Sequence, residues 1–248
     1  MTNRRECLLN ADCCIWTSVQ RFQVTAAASE EGAALNLRVG LAQRSVHDQD
    51  RSLIDLALSL FGVFDGVGAY RRSGEAAQLA AETIAKVCRT GGLPPLEALL
   101  EGCERADAQI ARRELGATTA TLAWIVGSDL HYVSVGDSRL YRQSPHDPAP
   151  VQATVDEGEG NILFNALGLG STRGGAQVAP QRGHLQLARG DKLLLVTDGI
   201  TGDFAPDLLT EAELGLAVLV NDPQFAAERL VGIARKRDDR TALVVFVD

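Results

Sequence analysis

The chain of 248 residues has little of what marks several specialised protein classes. Aromatic residues make up 5% of it, and it contains only 5 Cys and 8 Pro. These low counts exclude a disulfide-dense or collagen-like chain, and a hydrophobic fraction of 46% excludes a disordered one. Because the cysteines lack the paired C-x-x-C spacing of zinc sites, we interpret them as reduced thiols of a cytoplasmic protein.

Positive charge and long apolar runs are also scarce. The chain has 24 Lys and Arg against 32 Asp and Glu, so its formal net charge is −8. Nucleic acid or an anionic membrane surface would need a basic face on the protein, and the charge balance argues against both partners. No run approaches the roughly 18 apolar residues of a membrane span, and residues 1–11 lack the apolar core of a secretory signal.

The pattern along the chain predicts a single α+β domain over residues 1–248. Loose alternation over residues 13–42 predicts a β-hairpin, and helical periodicity predicts helices at 73–88, with Ser73 as N-cap, and at 96–115. Further strands are predicted at 60–64, 118–126, 130–135, 140–142, 193–197 and 242–247, and further helices at 208–220 and 224–236.

Aspartates at the ends of apolar runs are the most informative residues. Asp65-Gly66 and Asp198-Gly199 each follow a predicted buried strand. Further aspartates near strand ends are Asp48, Asp50, Asp137, Asp238 and Asp239. One Asp-Gly pair most simply forms a turn, because Asp accepts local hydrogen bonds and Gly tolerates positive φ. As a set, however, these carboxylates can converge in space, where a divalent cation would offset their mutual repulsion.

Such a cluster would have a defined chemistry. Oxygen ligands without cysteine favour a hard ion, Mg²⁺ or Mn²⁺. Two such ions sharing one carboxylate lower the pKa of a water molecule from about 15.7 towards roughly 7, which makes hydroxide available at neutral pH. The natural reaction is the in-line hydrolysis of a phosphate ester.

Four groups of residues, in chain order, resemble the metal-dependent serine/threonine protein phosphatases of the PPM, or type 2C, family. They are residues 48–50 (DQD), 61–68 (FGVFDGVG), 116–121 (GATTAT) with 135–141 (VGDSRLY), and 193–201 (LLLVTDGIT) with 238–241 (DDRT); residues 161–168 (NILFNALG) also fit. The resemblance covers roughly residues 35–248 and leaves 1–20 as an N-terminal extension of uncertain role. It implies a four-layer αββα sandwich of two antiparallel sheets flanked by helices, with a dinuclear metal site at one edge.

The resemblance also implies roles for the carboxylates. Asp65 matches the residue that bridges both ions, and Gly66 offers its carbonyl oxygen to one of them. Asp198 matches a ligand of the second ion, and Asp50 matches the acidic residue that holds metal-bound water. Asp137, together with Asp198, matches the residues that hold a weaker third ion in bacterial members.

Two neighbouring aspartates are candidates for the last metal ligand that the resemblance implies. The family's Asp-Asn-x-Thr element reads Asp238-Asp239-Arg240-Thr241 here, with aspartate where asparagine is usual. When the family's element is aligned at Thr241, Asp238 falls at the position of the ligand and Asp239 at the position of asparagine. We therefore rank Asp238 first as the metal ligand and Asp239 second.

Three departures from the family pattern concern the substrate. Val67 stands where His or Met is common after Asp-Gly, so that position offers no general acid. Arg44 is the candidate for the arginine that grips the substrate phosphate, but its distance to Asp50 is one residue too long. The stretch between Arg142 and Asn161 is short for the family's flap beside the active site.

The resemblance therefore predicts a Mg²⁺- or Mn²⁺-dependent phosphatase that removes phosphate from phosphoserine or phosphothreonine. A hydroxide bridging the ions would attack phosphorus directly, and the substrate would be a protein phosphorylated by a serine/threonine kinase. Two alternatives stay open: a catalytically weak pseudophosphatase that acts as a regulatory binding module, and a phosphohydrolase of small metabolites.

Overall fold

The structure, a computed structural model, describes residues 17–25, 35–160, 162–169 and 178–248. Its strands are β1 (Thr17–Thr25), β2 (Asn36–Arg44), β3 (Arg51–Asp55), β4 (Leu60–Phe64), β5 (Ala120–Val126), β6 (Asp129–Val135), β7 (Arg139–Gln143), β8 (Val151–Gln152), β9 (Gly158–Glu159), β10 (Ile162–Leu163), β11 (Gln181–Gln186), β12 (Lys192–Val196) and β13 (Arg240–Val247). Its helices are α1 (Ser73–Thr90), α2 (Pro95–Arg113), α3 (Asp198–Thr201), α4 (Glu211–Ala217) and α5 (Pro223–Ile233). Among these residues, no helix combines the length and the apolar character that crossing a membrane requires.

The strands form two antiparallel sheets and a small hairpin. One sheet has the order β1-β2-β13-β12-β7-β8, the other has the order β11-β6-β5-β4-β3, and β9 pairs with β10. The predicted hairpin is confirmed where it is described: β1 pairs with β2 in the register Thr17–Arg44 to Thr25–Asn36. The turn of that hairpin and residues 1–16 lie outside the described residues.

Three apolar cores hold the layers together. The inner faces of the two sheets meet in a core that includes Phe61, Leu140 and Leu243, all fully buried. Helices α1 and α2 cover the outer face of the five-stranded sheet, and α5 covers the outer face of the six-stranded sheet. Two sheets between helical layers are the predicted αββα sandwich, which the structure confirms.

Local details differ from the sequence prediction in several places. The helices predicted at 208–220 and 224–236 are shorter, at Glu211–Ala217 and Pro223–Ile233, so residues 234–236 follow the last helix rather than belong to it. Ser73 is the first residue of α1 rather than its N-cap, a position that Arg72 takes, and the Ser73 hydroxyl accepts a hydrogen bond from the Gln49 side chain. The chain after β12 does not form a simple turn, because Asp198 begins the short helix α3 directly after Thr197. Asp198 is therefore the first residue of a helical turn rather than part of a two-residue turn.

Strand direction explains why the aspartates meet. Strands β4 and β6 are both antiparallel to β5, so they run in the same direction and end at the same sheet edge. Asp65 follows β4, and Asp137 follows β6 two residues later. In the other sheet, β12 ends where its antiparallel partner β13 begins, which brings Asp198 close to Asp238.

Candidate metal centre

A cavity of about 410 Å³ opens at this edge of the sandwich. Four of the predicted metal ligands, Asp65, Asp137, Asp198 and Asp238, line it together with Lys236. Its remaining walls are Gln49, Gly66, Val67, Gly68, Ala69, Thr119 and Leu163. Four separate chain segments thus place carboxylates around one space.

Close packing, rather than a turn conformation, explains the glycine after each aspartate. Neither Gly66 nor Gly199 is among the described glycines with positive φ. A Cβ atom on Gly66 would lie 2.7 Å from the backbone of Ser73, and one on Gly199 would lie 1.7 Å from the carbonyl oxygen of Asp239. Gly199 therefore allows the start of α3 to approach the chain before β13.

Burial and like charge make the cluster costly when it is fully ionised. Burial raises the pKa of Asp65 well above its usual range, and the charges of Asp198 and Asp50 raise it further. Burial, followed by the charges of Asp198 and Asp203, raises the pKa of Asp137 to about 7. These shifts are expected where carboxylates converge without enough positive charge.

Asp50 lies beside this cluster, held by two threonines. Its Oδ2 accepts hydrogen bonds from Thr197 Oγ1 at 2.8 Å and from Thr241 Oγ1 at 2.7 Å. Burial raises its pKa to about 8, although these hydrogen bonds oppose the rise. Its Oδ1 is buried and has no hydrogen-bond partner among the described residues.

Lys236 is the cation within the cluster. Its ammonium group contacts an oxygen of Asp198, Asp203 Oδ2 at 2.9 Å and Asp238 Oδ2 at 3.1 Å. Although burial lowers the pKa of Lys236, the charge of Asp198 and hydrogen bonds to these carboxylates raise it above its usual value. One ammonium group cannot offset the charges of three ionised carboxylates, so excess negative charge remains around Lys236.

Asp239 faces away from the cavity and holds a loop. Its Oδ1 accepts from the backbone N–H groups of Val46 and His47, and its Oδ2 accepts from those of Gln49 and Asp50. These hydrogen bonds lower its pKa, although burial opposes the shift. Both of its oxygens are thus engaged with backbone, whereas Asp238 lines the cavity.

Arg44 lies at the end of β2 in a neighbouring cavity that Asp50, Asp239 and Arg240 also line. Its backbone belongs to the sheet, and its side chain makes no hydrogen bond or ion pair with the described residues. The turn between Arg44 and Asp50 contains Asp48 at φ 60°, in the left-handed region, with its exposed side chain paired to Arg51.

The donor set of the cluster fits a hard divalent cation. Asp50 Oδ1 and Asp198 Oδ1 are both buried without a hydrogen-bond partner among the described residues, and such atoms are costly unless a cation or water meets them. Within the described ranges, no three Asp, Glu, His or Cys side chains already stand at metal-ligand spacing. Asp198 and Asp238 instead turn to the ammonium group of Lys236.

Sequence reasoning missed Lys236 and Asp203. Lys236 lies in the run Arg235-Lys236-Arg237, which has the pattern of a solvated basic surface, and nothing in the sequence separates it from its neighbours. Asp203 lies in a polar stretch after α3 and follows no predicted strand. A signal for the supporting threonines did exist, because Thr197 and Thr241 stand within the recognised motifs.

Comparisons with known proteins agree with this arrangement. Two antiparallel sheets with flanking helices are the fold that solved structures of PPM phosphatases share with this chain. The family profile described as Protein phosphatase 2C matches residues 42–233. The chain therefore belongs to the protein phosphatase 2C family, which is the PPM family of the sequence prediction. A search of curated protein sequences gives no match.

Solved structures of bacterial proteins share the fold. PppA, a regulatory component of the T6SS in Pseudomonas aeruginosa, is 23% identical with a TM-score of 0.71, covering 92% of this chain and 100% of its own. The PPM Ser-Thr phosphatase MsPP from Mycobacterium smegmatis, in complex with cacodylate, is 25% identical with a TM-score of 0.66, covering 92% and 97%. The catalytic domain of the phosphatase PstP, in complex with two manganese ions, is 19% identical with a TM-score of 0.65, covering 92% and 98%.

Proposed function

We propose that this chain is a Mg²⁺- or Mn²⁺-dependent protein serine/threonine phosphatase. The observation that carries the proposal is the cavity in which Asp65, Asp137, Asp198 and Asp238 converge from four segments of a protein phosphatase 2C chain. The buried unpartnered oxygen of Asp198 and the raised pKa of Asp65 support a cluster that is incomplete without added positive charge. The two manganese ions of PstP support two ions here.

Each side chain has a proposed part in holding the ions. Asp65 would bridge both, with Gly66 offering its carbonyl oxygen, and Asp198 and Asp238 would hold the second. Asp137 with Asp198 would hold a weaker third ion. Bound divalent cations would offset the negative charge of the cluster and of the substrate phosphate and would make water nucleophilic at neutral pH. We rank Asp238 above Asp239 because both oxygens of Asp239 accept backbone hydrogen bonds.

Other residues would act on water and substrate. Asp50, fixed through Oδ2 by two threonine hydroxyls, would use Oδ1 to accept a hydrogen bond from metal-bound water. The guanidinium group of Arg44, which makes no hydrogen bond or ion pair with the described residues, would bind the substrate phosphate from the neighbouring cavity. Val67 lines the cavity but cannot donate a proton, so the chain supplies no general acid at that position.

The test is hydrolysis of a phosphothreonine peptide and of p-nitrophenyl phosphate by the purified chain with Mn²⁺. We expect both substrates to be hydrolysed, the activity to disappear with EDTA, and excess Mn²⁺ to restore it. Activity that persists after chelation would contradict the proposal. Faster turnover of small phosphorylated metabolites than of phosphopeptides would favour a metabolite phosphohydrolase instead.

A regulatory binding module is the second candidate. The observation in its favour is Lys236, whose ammonium group already engages two proposed metal ligands, and PppA shows that a regulatory protein can have this fold. Calorimetric titration with Mn²⁺ separates the two candidates. A binding module would take up no Mn²⁺, or would take it up without turnover of any phosphoester.

A further inference from the structure

The position of Lys236 is the feature that the proposed function does not use. Its side chain is 17% exposed, and its ammonium group contacts carboxylate oxygens of Asp198, Asp203 and Asp238. An ammonium group has three N–H donors and no acceptor. Its charge is therefore shared among three carboxylates, two of which belong to proposed metal ligands.

The guanidinium group of Arg240 fixes the backbone of Lys236. Its carbonyl oxygen accepts two hydrogen bonds from the guanidinium group of Arg240, from Nε at 3.1 Å and from Nη2 at 2.5 Å. The neighbouring Arg235 points elsewhere, to the carbonyl oxygen of Leu208 and to Glu213. Lys236 is thus the one member of its basic run that is anchored with its cation inside the cavity.

The same oxygens cannot serve the ammonium group and a divalent cation at once. A carboxylate oxygen that accepts from Lys236 must give up that contact before it binds a metal ion at full strength. Lys236 supplies one positive charge to the carboxylates of Asp198, Asp203 and Asp238, and Asp198 Oδ1 remains buried and without a partner among the described residues. Metal binding through Asp198 Oδ1 therefore stays favourable, but the ammonium group opposes it through its charge and through its hold on Asp198 Oδ2 and Asp238 Oδ2.

We propose that Lys236 is an internal competitor for the divalent cation at the Asp198–Asp238 subsite, an inference that rests on the proposed function of the same cluster. The ammonium group stabilises the metal-free protein by compensating for the charge of Asp198, Asp203 and Asp238. It lowers the affinity of that subsite for metal and thereby sets the cation concentration at which the second ion binds.

Mn²⁺ binding tests this inference without any need for turnover. Free Mn²⁺ is measured by electron paramagnetic resonance during titration of the wild-type chain, Lys236→Met and Lys236→Gln. The control, Lys86→Met, removes the same charge from the exposed face of α1. We expect both Lys236 variants to bind Mn²⁺ at least 10-fold more tightly at the weaker site, and the control to match the wild type.

Thermal unfolding supplies a second readout. Without metal, both Lys236 variants should melt several degrees below the wild type, because three carboxylates lose their counter-charge, and saturating Mn²⁺ should remove that difference. If a variant does not fold without metal, its affinity is measured by competition with a chelator from the Mn²⁺-loaded state.

The outcomes separate this inference from the proposed function. Unchanged or weaker Mn²⁺ binding in both Lys236 variants, with a Mn²⁺-dependent wild type, would overturn the competitor role and leave the phosphatase proposal standing. A raised KM for phosphopeptide at unchanged Mn²⁺ affinity would likewise overturn it and would make Lys236 a substrate-binding residue. Absence of Mn²⁺ binding in all chains would overturn both proposals.

Discussion

Replacement of Asp65 by Asn is expected to lower Mn²⁺-dependent hydrolysis of p-nitrophenyl phosphate by at least ~100-fold. Removing groups that merely support metal ligands costs 10–100-fold in affinity or activity, and Asp65 is proposed to contact both ions directly. Its carboxylate lies in the cavity with Asp198, and its raised pKa shows that its charge is costly without a cation. Steady-state kinetics at saturating Mn²⁺ measure the loss.

The stability of this variant distinguishes loss of chemistry from loss of fold. Because Asn cannot ionise in a place where burial and neighbouring carboxylates disfavour a charge, the metal-free Asp65→Asn chain should be at least as stable as the wild type. Asp129→Asn is the matched control: Asp129 lies at the opposite end of β6 from Asp137 and bonds to His184 and Gln186. Retained activity in Asp65→Asn, or equal loss in Asp129→Asn, would argue against the proposed centre.

Replacing Asp238 and Asp239 separately by Ala is expected to affect different properties, Mn²⁺ affinity in the first case and stability in the second. Asp239→Ala leaves four backbone N–H groups of residues 46–50 without their acceptor. It should lower the free energy of unfolding by roughly 3 kcal/mol, the upper value for a single hydrogen bond to a charged group, because water can reach the N–H groups of the exposed residues Val46 and His47. Asp238→Ala should change stability by less than about 1 kcal/mol but should weaken Mn²⁺ binding at least 10-fold.

Urea denaturation and Mn²⁺ titration of both variants check this pair. The two residues are neighbours of the same type, so each serves as the control of the other. A stable Asp239→Ala chain that has lost its Mn²⁺ affinity, beside an Asp238→Ala chain with normal affinity, would reverse the ranking of the ligands.

The strands could be predicted where local sequence alone determines them. Residues 60–64 form an uninterrupted apolar run that ends at an aspartate, and β4 has those bounds. The sheet order could not be predicted from composition and periodicity, because β13 pairs with both β2 and β12 over long separations in sequence. Only the family resemblance carried that information, and the structure confirms the fold that it implied.

The candidate site, too, could be predicted from the sequence only in part. The aspartates could be identified because each follows or precedes a strand within a recognised motif. The difference between Asp238 and Asp239 could not be seen in the sequence, since it depends on which side chain faces the backbone of residues 46–50. The position of Lys236 in the cavity could not be predicted either, because the hydrogen bonds from Arg240 to the Lys236 carbonyl oxygen leave no mark on the periodicity of the sequence.

The central claim is that these aspartates share one space because divalent cations neutralise them there. The most direct measurement is anomalous X-ray diffraction from a crystal of the wild-type chain grown with Mn²⁺. We predict anomalous density within coordination distance of both Asp65 and Asp198. Crystals that hold Mn²⁺ elsewhere and show none at these carboxylates, with Lys236 still among them, would contradict the claim.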